Sequence, residues 1–294
     1  MIPAVCLDIG SRGGVPANWL STRLELNCIC FDIDTADYVG YERINKLLHL
    51  TRKPYLLAEY SGNKTFYYHD KGPSGSSFYP LNHIHEYDVD EFIESKMEVN
   101  CKALRELDIP PADLIKIDVQ GAEIDILKGA STKQLGRCFA IEIEVSFLDT
   151  YKGAPTFGDV NKFLAEKGFI IHGMRTSHHH STKDGVRIAK RYGLDPEQFS
   201  VITQVNQADC LYIRDFNSLQ EVNVETYHQW INILYMYRAI DKMIQLRNYV
   251  YNELGIISDK ILENYLRVFK ARRMNLGDAG IHCFPSGLNI KDYD

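Results

Sequence analysis

Acidic side chains stand where short apolar runs give way to glycine or to further polar residues. Those are the places at which a parallel sheet presents groups to a ligand. Asp8 lies in Asp8-Ile9-Gly10-Ser11-Arg12-Gly13-Gly14, Asp32 in Phe31-Asp32-Ile33-Asp34, and Asp118 in Lys116-Ile117-Asp118-Val119-Gln120-Gly121-Ala122-Glu123. Glu144 closes Phe139–Val145, with Glu142 two residues before it. A carboxylate buried at a strand end without a task is costly. Asp118 is the first candidate for a general base, or for a group that orients a hydroxyl or an amine, and Glu144 is the second. Glu142 shares the face of Glu144 by period two. Two such acids could raise one another's pKa, or could hold a divalent cation; no metal site is assigned. Glu123 opens a helix, where a negative charge suits the helix dipole.

The glycines after the first run let the backbone turn tightly and approach a ligand. The G-x-G-x-x-G spacing of dinucleotide folds is absent there. The order is D-x-G-x-x-x-G, from Asp8 through Gly10 and Ser11 to Gly14, which suits S-adenosylmethionine (SAM), a ligand with a free ammonium and carboxylate and no phosphate. Asp32, 22 residues after Gly10 (32 − 10), is placed to accept hydrogen bonds from ribose hydroxyls. Asp34 serves equally well as a helix N-cap. Glu59 or Ser61 could reach an adenine edge, and a surface turn at Ser61-Gly62-Asn63 explains them as well. Gly72–Ser77 is a polar loop that could cover a cofactor or simply connect.

Strands alternating with helical patterns position these groups and predict an α/β, doubly wound, mostly parallel sheet. The expected strands are Ala4–Ile9, Cys28–Ile33, Pro54–Ala58, Lys64–His69, Leu114–Val119, Phe139–Val145, Phe169–His172 and Cys210–Ile213. The expected helices are Pro16–Leu26, Tyr41–Leu50, Ala122–Lys128 with a stop at Gly129, and Asp159–Lys167. Past Asp215 the strand signal ends. Val224–Leu254 and Ser258–Met274 read as helices, the second capped by Ser258. The domain reading is therefore 1–215 for the ligand-binding domain and 216–294 for a helical C-terminal extension. Trp230, Ile233, Leu234, Tyr237 and Tyr251 form a packing face directed at the domain or at a second copy.

Lys116–Ala130 resembles the K-I-D-V-[EQ]-G-A-E-…-L-K-G-A hallmark of FkbM-type SAM-dependent methyltransferases. Asp8–Gly14 resembles their first cofactor motif, and Asp32 matches an acid in their Phe-Glu-Pro-Asp, with Ile33 departing from the proline. Ser74–Tyr79, Glu142–Phe147, Tyr151-Lys152-Gly153, Phe157, Gly168-Phe169 and Ala208–Arg214 extend the resemblance over roughly Val5 to Asp215. It implies a class I Rossmann-like methyltransferase with an antiparallel last strand, SAM as cofactor, and methylation of oxygen, often on sugars or polyketides. The acceptor expected on this ground is a carbohydrate or glycan precursor. In that fold the Arg175–Gln207 connection lies at the ligand end. Arg175, His178, His179, His180, Lys183 and Arg187 then form a candidate acceptor-binding lid; a solvated polar loop is the alternative.

Composition excludes several classes. The net charge of −6 argues against a sequence-independent nucleic-acid binder. At 45% hydrophobic and 24% charged the chain is no disordered segment. No apolar run reaches membrane-spanning length, and the N-terminus shows no secretory signal. Seven scattered cysteines read as reduced, buried thiols. His83 and His85 lack an evident third ligand. The expectation is a cytoplasmic enzyme, with a possible homodimer through the C-terminal helices. Two rivals remain: a non-catalytic scaffold using the tail, and an NAD-dependent oxidoreductase, against which the missing glycine pattern counts.

Overall fold

The computed structural model describes residues 3–12, 14–20, 24–33, 45–70, 72–82, 94–180, 191–194, 204–219, 222–255 and 260–271. Its strands are β1 (Ala4–Ile9), β2 (Leu26–Phe31), β3 (Leu48–Lys53), β4 (Leu56–Leu57), β5 (Gly62–His69), β6 (Glu94–Lys102), β7 (Leu114–Ile117), β8 (Ala140–Ser146), β9 (Phe169–His180) and β10 (Gln204–Arg214). Its helices are α1 (Ala17–Leu20), α2 (Glu123–Lys128), α3 (Thr132–Arg137), α4 (Phe157–Glu166), α5 (Val224–Met236), α6 (Ile240–Leu254) and α7 (Lys260–Ala271).

Seven strands form one sheet in the order β3-β2-β1-β7-β8-β10-β9. Pairs β1–β2, β2–β3, β1–β7 and β7–β8 are parallel, and β10 runs antiparallel to both β8 and β9. This is the mostly parallel α/β sheet with one reversed strand that the sequence leads one to expect. The order reverses between β1 and β7, so a crevice opens at their carboxyl ends.

The third strand of that sheet is Leu48–Lys53, where the sequence suggests the end of a helix. Leu47, Leu48 and Leu50 fit either period, and only the alternation of buried Leu48 and exposed His49 reveals the strand. The run expected as third strand supplies Leu56–Leu57 to a second sheet instead, in the order β4-β6-β5. Strand β6 carries no apolar run and buries only Cys101, so no periodic signal marks it. Pro16–Leu26 shrinks to the single turn α1, and Val224–Leu254 divides at Arg238, whose φ is +57°. Gly129 ends α2 in ordinary right-handed geometry. A Cβ there would lie 2.4 Å from the Ala58 carbonyl oxygen, so close approach rather than a left-handed cap demands glycine.

Side chains alternate across the sheet and build a core on each face. One face joins Leu7, Ile9, Ile115, Ile117, Ile141 and Ile143 to α2 and α4. The other joins Ala4, Cys6, Leu26, Cys28, Leu114, Leu211 and Ile213 to Tyr227, Trp230, Leu234, Tyr237, Met243 and Leu246. The four-residue α1 contributes Trp19 but cannot cover this face alone; α5 and α6 complete it. The helical extension thus shares the sheet's own core across residue 215. Trp230 stacks on Phe139 at 4.9 Å and lies under the Arg137 guanidinium, which pairs with buried Asp113 at 2.7 Å. Cys6, Cys28, Cys30, Cys101, Cys138 and Cys210 are buried free thiols. Among the described residues no helix is long and apolar enough to cross a membrane.

Replacing Trp230 by Ala should cost about 3–5 kcal/mol of unfolding free energy, the range for removing a buried aromatic side chain. Urea unfolding checks this. A loss below 1 kcal/mol would mean that the C-terminal helices do not share the sheet's core.

Candidate active site

Register places three ionisable side chains in a row. Asp8 on β1 neighbours Lys116 on β7, which neighbours Glu142 on β8. Asp118 follows two residues on. The Lys116 ammonium sits 3.3 Å from Asp118 Oδ2 and 4.0 Å from Asp8 Oδ1. Burial works to lower the Lys116 pKa, but Asp118, Asp8 and Glu142 together hold it above its ordinary value. Asp8 is fully buried, and neither carboxylate oxygen has a hydrogen-bond partner among the described residues. Burial pushes its pKa up to about 7, with Lys116 opposing. Burial would also raise Asp118; Lys116 and the Gln120 amide outweigh it and keep this carboxyl below the usual range.

Gln120 bridges the two candidate catalytic acids. Its Nε2 donates to Asp118 Oδ1 at 2.9 Å and to Glu144 Oε2 at 2.7 Å. Gln207 also donates to Glu144 Oε2, at 3.2 Å. Burial, then the charges of Asp118, Glu123 and Asp209, raise Glu144 far above an ordinary glutamate. The two acids are therefore pushed apart, Asp118 toward its ionised form and Glu144 toward its protonated one. Glu123 caps the turn from inside: its Oε1 accepts from the backbone N–H of Val119 at 3.1 Å and of Gly121 at 3.0 Å. Burial still raises it to about 7. On the far side of Lys116, Glu142 accepts from Tyr237 Oη, which receives Trp19 Nε1 at 3.4 Å. The C-terminal helices thus reach the charged row.

Gly10 lets this end of the sheet close. At φ +77° a Cβ would stand 1.8 Å from the Asp118 carbonyl oxygen, and the Gly10 N–H donates to Phe31 O at 3.0 Å. Beside it opens a cleft. Gly10, Asp32 and Asp118 line it together, with Arg12, Phe31, Ile33 and Gln120. The opposite wall is Tyr55, Leu57, Phe66, Tyr68 and Phe78, with Ser74 and Ser76 from the Gly72–Ser77 segment.

The other expected site residues fall elsewhere. Asp8 and Ser11 are buried behind the cleft, and Glu144 reaches it only through Gln120. Gly14 adopts φ +94° in the turn before α1 and is absent from the cleft lining. Glu59 and Ser61 do not line the cleft, because the run before them belongs to the second sheet; Ser61 Oγ accepts from the Ala103 N–H at 2.9 Å. Arg175 stands on β9 rather than in a loop, and it pairs with Asp209 at 2.8 Å. The main chain of His178, His179 and His180 continues β9, paired with β10; their side chains lie outside the described residues, as do Asp34, His83, His85, Lys183, Arg187, Ser258 and Cys283. Among the described residues no group of three or more His, Cys, Asp or Glu is placed to hold a metal ion. The aromatic wall and the Gln120 bridge escaped sequence reasoning. The wall draws on Pro54–Ala58 and Lys64–His69, both expected as strands, but the weak periodicity of their partner β6 hid their pairing into a second sheet.

The open crevice at this topological switch point, floored by Gly10 and strand-end acids, lies where a Rossmann-like sheet takes its ligands. Residues 28–171 match the family model described as the methyltransferase FkbM domain. Among solved structures, methyltransferase FkbM from Methylobacillus flagellatus KT is similar over 72% of this chain at 13% identity, with a TM-score of 0.39. The chain spans 43% of that protein's length. A TehB-like SAM-dependent methyltransferase from Corynebacterium glutamicum ATCC 13032 Kitasato is similar over 73% of this chain and 82% of its own, at 10% identity and a TM-score of 0.31. No curated protein matches the chain.

Asp8 and Glu123 hold their protons more tightly folded than unfolded. Each therefore contributes stability that is complete below its ordinary pKa and is lost as pH rises through about 7. Urea-unfolding stability should fall between pH 5 and pH 8, and Asp8→Asn should reduce that fall by roughly 1–3 kcal/mol. Equal falls in both proteins would place Asp8 in a solvated setting.

Proposed function

We propose that this chain is a SAM-dependent methyltransferase that methylates a hydroxyl oxygen, with a carbohydrate or glycan precursor as acceptor. The observation that carries the reading is Asp118, an ionised carboxylate held by Lys116 and Gln120, opening onto the same cleft as Gly10 and Asp32. The donor set fits SAM. Asp32 at the end of β2 suits ribose hydroxyls, the apolar and aromatic wall suits an adenine face, and Arg12 offers a counter-charge for a carboxylate. The two aspartates that line the cleft, Asp32 and Asp118, favour a ligand with a cationic group over a pyrophosphate. This is the ground for preferring SAM to NAD. The hydroxyl and carbohydrate parts of the reading rest on the FkbM resemblance.

When bound, SAM supplies an electrophilic methyl group on a sulfonium. The chain's own part is to hold an acceptor hydroxyl in line, at about 3–3.5 Å, and to receive its proton. Asp118 does both through its carboxylate. Its depressed pKa makes it a weak base toward a neutral alcohol, so it orients the hydroxyl first. It takes the proton late, when bond formation has made that proton acidic. Lys116 holds Asp118 ionised until it takes that proton, and burial holds Glu144 toward its neutral form, so that no second negative charge builds up beside it. The phenyl and phenol rings of the cleft wall exclude water from the reacting oxygen.

Asp32→Ala should weaken SAM binding by about 1–3 kcal/mol through lost charged hydrogen bonds, read by titration calorimetry. Unchanged affinity would remove Asp32 from the ribose role. Asp118→Asn should lower turnover about 10²-fold or more, with a smaller change in SAM affinity. Parallel losses in turnover and affinity would make Asp118 a cofactor ligand and not a base.

A further inference from the structure

We propose that Tyr151 is a positioning residue of this site: its hydroxyl ties the Gln120 amide, which bridges Asp118 and Glu144, to the Pro73–Gly75 turn of the cleft wall. The proposal deepens the methyl-transfer reading of the cleft and rests on it, but part of its test needs no cofactor.

Gln120 is an unusual bridge. It is a non-glycine residue at φ +58°, a left-handed conformation that persists only where its surroundings enforce it. Two contacts do so. Ser77 Oγ donates to its carbonyl oxygen at 2.6 Å, and Tyr151 Oη donates to its Oε1 at 2.9 Å. Both amide hydrogens are committed to the acids, one to Asp118 and one to Glu144. Rotating the amide by half a turn would set Oε1 against those carboxyl oxygens. A donor at Oε1 opposes that rotation, and the tyrosine hydroxyl is that donor.

The same hydroxyl lies 2.9 Å from Gly75 O. A tyrosine carries one hydroxyl hydrogen, so two acceptors, one in the turn and one at the acid pair, share it. The ring that presents it is itself fixed. Tyr151 is 5% exposed, forms a β-bridge with Leu81, and is followed by Lys152 N–H donating to Pro80 O at 2.8 Å. The turn is anchored at its other end by Ser76 Oγ, which accepts from the His69 N–H at 3.0 Å. A ligand that presses on Ser74 or Ser76 therefore shifts the Tyr151 hydrogen bond toward one acceptor or the other. The hold on the Gln120 amide changes with it.

The test compares wild type, Tyr151→Phe, Glu144→Gln and the double variant by urea unfolding from pH 5 to pH 9. Glu144 is faced by Asp118 at the end of β7, by Glu123 on α2, and by Asp209 and Gln207 on β10, and Lys116 faces Asp118. N–H donors favour ionised carboxyls, so a loosened amide lets the pair keep its proton to higher pH. In Tyr151→Phe the alkaline fall in stability should move up by roughly half a pH unit or more, and this shift should vanish when Glu144 is Gln. A uniform loss of stability at every pH, with or without Glu144, would overturn the proposal. Gln120→Asn, too short to bridge both acids, should reproduce the shift and serves if Tyr151→Phe does not fold; no shift would again overturn it. With S-adenosylhomocysteine as calorimetric probe, Tyr151→Phe should bind about three- to tenfold more weakly, the worth of one hydrogen bond. Equal affinity would cut the link to the turn. If wild type binds no S-adenosylhomocysteine, the methyl-transfer reading fails, while the unfolding series still decides the role of Tyr151.

Discussion

One partly buried lysine organises the acids of this protein. Lys116 stands between Asp8 and Asp118, with Glu142 beside it on the next strand, and is the cation that the structure sets against these carboxyls. An uncompensated carboxylate in such surroundings would cost several kcal/mol, so the strand ends could not carry these acids without it. Its effect is unequal. Asp118, nearer and further stabilised by Gln120, stays ionised, whereas Asp8, more distant and without hydrogen bonds among the described residues, is driven toward neutrality. One cation thus separates two neighbouring aspartates into a charged group at the cleft and a proton-holding group behind it.

The same sheet face explains the tail. Toward the amino ends of the strands it is apolar, with Ala4, Cys6, Leu114 and Ala140, and toward the carboxyl ends it carries Asp8, Lys116 and Glu142. A one-turn α1 cannot shield such a surface. Helices α5 and α6 bring Trp230, Leu234 and Met243 to the apolar part and Tyr237 to the boundary, where its hydroxyl meets Glu142. The inner part of the charged row, Asp8 and Glu142, is buried, and acquires the low dielectric on which its pKa shifts depend. The helices beyond the family-matched segment are in this sense part of the site's support.

Much of this was legible in the sequence, and for physical reasons. Parallel strands buried on both faces read as continuous apolar runs, so β1, β2, β7 and β8 stand out, together with the acids at their ends. Asp118 and Asp32 therefore come to one cleft with Gly10 as the spacing suggests. The second sheet was not legible as a sheet. Glu94–Lys102 buries one side chain and Leu48–Lys53 fits two periods, so local pattern could not tell which run would pair with which. Glu59 and Ser61, expected near an adenine edge on that reading, do not line the cleft. Length was the other limit. The extension of β9 past His172 is decided by pairing with β10, a contact across the sequence, and it turns Arg175 from a lid cation into the partner of Asp209. The Gln120 bridge is hidden for the same reason, since its meaning depends on where β8 and Tyr151 arrive.

The central claim is that the cleft beside Gly10, Asp32 and Asp118 is where the methyl donor sits. A crystal structure of the protein with S-adenosylhomocysteine tests it most directly. The account predicts the ribose hydroxyls on Asp32, the adenine against the Tyr55–Phe66 wall, and the sulfur turned toward the Asp118 end of the cleft. Density for the ligand in any other groove, with this cleft holding only solvent, would contradict it.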